Sequence, residues 1–232
     1  LDAHFRLAVC LGKLTKWWDG VAVFDHVLTF DWLTDFDRLE ALTGRAVSIH
    51  EADEPDAAET ALWGVLHFYR EADRRRPLDD RGMVAESAYR LGEIANDRFN
   101  KVHLEFPIET LRPRLEVKCE LLLSAQTRYL RSIRHGDAHT AAAAGFRIGQ
   151  LYEKLYDEVA SMQVPADLDP DQADLYREEL YARVRILLEK ALKAYEKALL
   201  VGKSAPTATE WILRIEAAIT RLKTLVLAKP AT

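Results

Sequence analysis

The sequence predicts an all-α protein, and three observations lead to that fold class. Apolar residues recur three and four positions apart over successive long segments, which is the spacing of one helix face. No segment alternates apolar and polar residues between turn signals, as a strand would. Two helical segments are versions of one another. At 232 residues and 49% hydrophobic content, the chain can bury a large core as one or two domains.

The first third of the chain is predicted to form four helices. In the first, residues 2–15, Phe5, Ala8, Leu11 and Leu14 follow helical spacing. The next three cover residues 18–30, 36–52 and 56–73. Pro55 separates the third from the fourth, because proline inside a helix costs about 3 kcal/mol. The loop after residue 76 is the nearest approach to a domain boundary. It divides one continuous stack into residues 1–76 and 77–232.

Five further helices are predicted, over residues 82–100, 113–134, 137–162, 170–201 and 209–227. Pro113 opens the sixth, since proline is tolerated in a first turn. Gly136 ends it as a C-cap. Asp169 and Gln172 form a capping box at the start of the eighth. The last helix caps the stack, and residues 102–113 and 161–174 are expected to form distinctive contact loops.

The duplicated segments indicate a repeat architecture. Residues 85–94 and 142–151 share the order aromatic, arginine, aliphatic, glycine, polar. A second pair of segments follows the same logic, with Tyr129 and Tyr195 each lying four residues after a small residue. Repeated helical units stack into solenoids, and solenoids present extended binding surfaces.

The small and bulky positions resemble the tetratricopeptide repeat (TPR), a helix-turn-helix unit. Leu7-Ala8-x-x-Leu11 and Ile148-Gly149-x-x-Tyr152 match its first helix. Its second helix is matched by Gly20/Phe24/Val27, Ala125/Tyr129/Ser132 and Ala191/Tyr195/Ala198. The 34-residue spacing survives only in the first unit, and the register of the second is not fixed. The resemblance implies a right-handed α-solenoid of four units that binds proteins along its concave face.

Part of the chain is similar to long-helix TPR proteins of deltaproteobacteria. The similarity lies in residues 147–153, Val164-Pro165 and residues 176–180. It implies a bacterial scaffold of the periplasm or outer membrane, of the kind found in the myxobacterial envelope and gliding machinery. Since nothing caps the first unit at Leu1, we expect further repeats before it, or an apolar end there that self-associates.

By the repeat register, partner-binding positions lie on the first helix of each unit. They combine three aromatic anchors with mostly acidic neighbours, which favours a basic partner segment. The alternative is that the aromatics pack between repeats and the charges are solvated. The positions are Phe5, Val9, Lys13, Glu86, Tyr89, Glu93, Asn96, Asp97, Phe146, Gln150, Glu153 and Lys154.

Other function classes find little support in the residues. The net charge of −5 does not favour nucleic acid, and no apolar run reaches the length of a membrane span. No phosphate loop, nucleophile elbow or metalloprotease motif occurs. His135 and His139 could ligate a metal, but Gly136 indicates a turn between helices. We therefore expect no cofactor, no metal and no enzyme. Self-association is the first alternative, and a helical enzyme the distant one.

Overall fold

The computed structural model describes residues 1–79, 81–165, 168–204 and 209–227, and over these ranges the chain is all-helical, without strands. Nine helices follow one another within the described ranges. They are α1 (Asp2–Lys13), α2 (Trp17–Leu28), α3 (Asp35–Glu51), α4 (Pro55–Arg75), α5 (Gly82–Lys101), α6 (Ile108–Arg134), α7 (Ala138–Ala160), α8 (Pro170–Gly202) and α9 (Thr209–Leu227).

The helix ends are set by the residues that the sequence indicates, with one correction. Gly136 adopts a left-handed φ of 82° after α6, and Asp169 forms the capping box with Gln172. However, α6 begins at Ile108, so Pro113 lies inside the helix and not in its first turn. Because Pro113 has no N–H, only the backbone carbonyl of Glu109 loses its helical hydrogen bond, and Glu109 is an exposed residue near the helix start. The predicted contact loop of residues 102–113 therefore shortens to 102–107.

The helices pack in a regular order. Each helix contacts the next, and the odd-numbered helices also contact one another in sequence, from α1 to α3, α5, α7 and α9. The buried core runs along the chain in three clusters. The first joins α1 to α3, the second α2 to α5, and the third α5 to α9.

Glycine lets an aromatic ring of one helix approach the backbone of another. A Cβ built at Gly149 would lie 2.3 Å from the ring of Tyr195, and one at Gly92 would lie 2.5 Å from the ring of Tyr129. Gly44 receives Phe24 in the same way, at 2.2 Å. Tyr129 and Tyr195 are fully buried. These glycines therefore set the distance between the paired helices.

We predict that Gly149→Ala lowers the free energy of unfolding by about 1–3 kcal/mol, because the added methyl group overlaps the Tyr195 ring. The matched control is Gly64→Ala at an exposed position of α4, where a Cβ meets nothing within 4 Å. Alanine there should raise stability by up to about 1 kcal/mol through helix propensity. Urea unfolding followed by circular dichroism measures both, and equal effects would contradict the packing role of Gly149.

Candidate protein-binding face

The odd-helix face is the surface formed by α1, α3, α5, α7 and α9, and it carries all the residues that the repeat register selects. Its three aromatic anchors take part in helix packing. Phe146 is 9% exposed and packs against Tyr195 and Trp211, with ring centroids 5.5 and 5.7 Å away. Tyr89 is half-buried against Tyr129. Phe5 lies 6.1 Å from Phe24.

The other selected residues divide by exposure. Asn96 and Glu153 are buried, and Glu86, Glu93 and Gln150 are half-buried. The exposed members, which solvent and a partner can reach, are Val9, Lys13, Asp97 and Lys154.

Glu93 joins two helix pairs through a three-residue contact. The Tyr129 hydroxyl of α6 donates a hydrogen bond to Glu93 of α5. The Arg147 guanidinium of α7 donates to the other carboxylate oxygen at 2.8 Å. Burial, together with the charge of Glu93, raises the pKa of Tyr129, so this phenol stays protonated and acts as a donor.

Glu153 repeats this arrangement one helix pair later. It accepts from the Tyr195 hydroxyl of α8 at 2.9 Å and pairs with Arg221 of α9. Burial and the charge of Glu153 raise the pKa of Tyr195. The sequence positions of the two glutamates differ, since Glu93 directly follows Gly92 whereas Glu153 lies one helical turn beyond Gly149. The two contacts thus join the same residue types on successive helix pairs, but the glutamates occupy different positions relative to the glycines.

Arg90 makes the corresponding link between α3 and α5. Its side chain is 17% exposed and donates to Glu51 at 2.6 Å and to Glu86 at 2.7 Å. It also lies 2.9 Å from Nδ1 of His50. Arginine can only donate, so this ring nitrogen must be the acceptor of a neutral histidine.

Together these contacts form an arginine ladder along the odd-helix face. In each rung an arginine of the later helix reaches a glutamate of the preceding odd-numbered helix, and the rungs are Arg90–Glu51, Arg147–Glu93 and Arg221–Glu153. Sequence reasoning missed the ladder. The available signal was the arginine that recurs at positions 90 and 147 of the duplicated segments.

A polar recess of about 320 Å³ lies beside the last rung. Three of its lining residues, Gln150, Glu153 and Lys154, belong to the selected positions. Asp157 and Arg221 complete its polar wall. Burial and the neighbouring charge of Glu153 raise the pKa of Asp157. The recess thus combines two carboxylates with the cationic groups of Arg221 and Lys154, and Asp157 is its exposed carboxylate.

The two histidines at the turn between α6 and α7 pack against different aromatic residues. His135 packs edge-on against Tyr69, at 6.0 Å. His139 packs against Trp211 on α9. No group of three or more potential metal ligands is found within the described residues.

Comparison with known proteins gives no assignment, since no protein-family model matches the chain and no curated protein matches it significantly. Across the described ranges, none of the helices combines the length and apolar character needed to cross a membrane.

The His50 contact predicts a pH dependence of stability. Burial, and then the charge of Arg90, lowers the pKa of His50 below its ordinary value of 6.5. As the pH falls below about 6.5, the unfolded chain binds a proton that the folded chain resists, so stability decreases. The slope per such histidine cannot exceed about 1.4 kcal/mol per pH unit.

His50→Gln should reduce this slope between about pH 7.5 and 5.5, because glutamine accepts from Arg90 without titrating. Part of the slope should remain, since burial also lowers the pKa of His135. The double variant with His135→Gln should flatten it further. Thermal unfolding at a series of pH values measures the slopes, and a wild-type slope in His50→Gln would contradict the assignment.

Proposed function

We propose that this chain is a non-enzymatic protein-interaction scaffold. In this proposal the helices form a right-handed α-solenoid of four TPR-like pairs, α1–α2 to α7–α8, with α9 as the terminal cap. The odd-helix face is its concave surface and holds an extended segment of a partner. The observation that carries the proposal is the unbroken succession of contacts from α1 through α3, α5 and α7 to α9.

The arginine ladder supports this role. Side chains that tie consecutive odd-numbered helices together fix the spacing of the exposed residues between the rungs. A surface that is already rigid loses little conformational entropy when a partner binds. In this arrangement the aromatic anchors pack between the helices, and the exposed residues contact the partner.

The polar recess and the exposed acidic side chains favour a basic partner segment. Asp157 lies beside Glu153 in the recess, and Asp97 is exposed on α5. Asp97 also lies close enough to His50 of α3 to influence that histidine electrostatically. Lysine or arginine from a partner would find an exposed carboxylate at both places, Asp97 on α5 and Asp157 on α7.

The test compares two double variants that each remove two exposed carboxylates. Asp97→Asn/Asp157→Asn alters the odd-numbered helices, and the control Glu120→Gln/Glu178→Gln alters the even-numbered helices α6 and α8. We expect the first to lower the affinity for a captured partner about tenfold, equivalent to 1.4 kcal/mol. The control should bind like the wild type.

The measurement is affinity capture from the source organism's extract, followed by titration of the purified partner and by circular dichroism to confirm folding. Equal binding by both double variants would remove the odd-helix face from consideration as the binding surface.

A second candidate function is self-association, and exposed apolar side chains at the first helix pair favour it. Leu14 is 64% and Trp18 56% exposed, and Leu7 and Val9 of α1 are also exposed. Trp17, next to Trp18, is half-buried, as adjacent positions on one helix require. Clustered apolar side chains at a surface are typical of an interface.

Self-association predicts a mass that rises with concentration and falls back to the monomer in Leu14→Glu/Trp18→Glu. The matched control is Leu213→Glu on α9, a leucine of similar exposure at the other end of the chain. Analytical ultracentrifugation measures the masses. A wild-type chain that stays monomeric throughout excludes this candidate.

A further inference from the structure

An apolar cleft of about 640 Å³ lies between α6 and α8, and none of the selected partner-binding residues lines it. Helix α7 forms its floor, with the small residues Ala141 and Gly145 and the larger Ile148. One wall comes from α6, and its exposed residue is Leu130. The other comes from α8, where Leu200 is 75% exposed. Such exposed leucines along a concave surface mark a contact site for an apolar group.

The cleft follows from the packing of the helices on either side. Tyr195 and Ala198 hold α8 against the glycines of α7, since a Cβ at Gly145 would lie 2.5 Å from the Cβ of Ala198. Tyr129 holds α6 against Gly92 of α5. Helices α6 and α8 are thus each held against the preceding odd-numbered helix, and the space between them stays open.

Three lysines of α8 line one side of the cleft. Lys190, Lys193 and Lys197 are exposed and recur on one helix face. Within the described part of the chain, none of them forms an ion pair. Lys190 lies 5.4 Å from the ring centroid of Tyr152, whose hydroxyl donates to Gln126, another lining residue of the cleft. The rim is therefore basic on a chain whose net charge is −5.

The apolar surface continues beyond the cleft along both helices. Leu123 lies two turns before Leu130 on α6, and Ile186 lies one turn before Lys190 on α8, and both are exposed. From Ile186 to Val201 the surface extends about 22 Å at 1.5 Å per residue. That length equals about four helical turns, whereas a small molecule would need an enclosed pocket to bury most of its surface.

We propose that this cleft receives the apolar face of an acidic amphipathic helix from another protein. Apolar side chains of the partner, three and four residues apart, would fill the space between Leu130 and Leu200. Its flanking carboxylates would meet the lysines at positions 190, 193 and 197, which supply the charge complementarity. This surface and its partner chemistry are separate from the odd-helix face, so either proposal can fail alone.

The test uses a fluorescein-labelled designed peptide of about 15 residues, long enough to follow the 22 Å surface. Leucines occupy one helical face and glutamates flank them. A second peptide has the same composition in scrambled order, and a third carries lysine in place of glutamate. We expect fluorescence anisotropy to show that the first peptide binds the full chain, and that high salt weakens this binding through screening. The other two peptides should bind at least about tenfold more weakly.

Charge reversal locates the binding. Lys193→Glu/Lys197→Glu should lower the affinity for the acidic peptide at least about tenfold. The matched control, Lys16→Glu/Lys101→Glu, reverses two exposed lysines that belong neither to the cleft nor to the selected partner-binding positions, and it should bind like the wild type. Circular dichroism confirms that both variants fold. A third variant, Ala194→Trp, fills the cleft without changing charge and should also abolish binding.

Three outcomes would overturn the proposal. In the first, the acidic and scrambled peptides bind equally, or the lysine variant binds like the wild type. In the second, a long-chain fatty acid occupies the cleft and the acidic peptide does not. In the third, the chain alone dimerises in ultracentrifugation and Lys193→Glu/Lys197→Glu abolishes the dimer, which makes the occupant a second copy.

Discussion

The close approach of paired helices at glycine is the constraint on which the rest of this structure depends. At Gly92 and Gly149 the missing Cβ makes room for a whole tyrosine ring. The ring is then long enough to carry its hydroxyl across the helix pair to a carboxylate on the other side. A larger residue at either glycine would displace both the ring and the hydrogen bond that follows from its position.

The same tyrosines also take part in the contacts that join one helix pair to the next. The tyrosine hydroxyl occupies one oxygen of Glu93 or Glu153, and an arginine of the following odd-numbered helix takes the other. A partly buried ion pair of this kind adds little net stability, because the cost of desolvation offsets the attraction. Its effect is geometric, since a carboxylate with two defined partners fixes the position of the arriving helix. Packing within a pair and register between pairs are therefore coupled.

Much of the fold could be predicted from the sequence, because helix ends depend on local chemistry. Gly136 and Asp169 act on their own neighbours, and both were located from the sequence alone. The start of α6 was not, because the favourable placement of proline in a first turn suggested Pro113, whereas the helix extends back to Ile108. Long-range contacts were harder still. Nothing in the local sequence shows that Glu93 faces Arg147, 54 positions away. The corresponding contact of Glu153 with Arg221 is equally invisible there. Tyr89 and Phe146 were selected as partner-binding anchors, with packing between repeats as the alternative, and their contacts with Tyr129 and Tyr195 depend on how the helices dock.

The odd-helix face and the cleft between α6 and α8 differ in chemistry because helix packing covers side chains on the first and leaves them exposed in the second. On the odd-numbered helices from α3 to α9, arginine and glutamate side chains reach from one helix to the next and bind each other, so ion pairs cover part of this face. On the even-numbered side, α6 and α8 are each held inward by a buried tyrosine, and the leucines between them have no such neighbour to cover them. In the proposed scaffold, the polar odd-helix face and the apolar cleft would hold two partners by different forces. Salt would then weaken binding at the polar face more than at the cleft, where burial of apolar surface supplies most of the affinity.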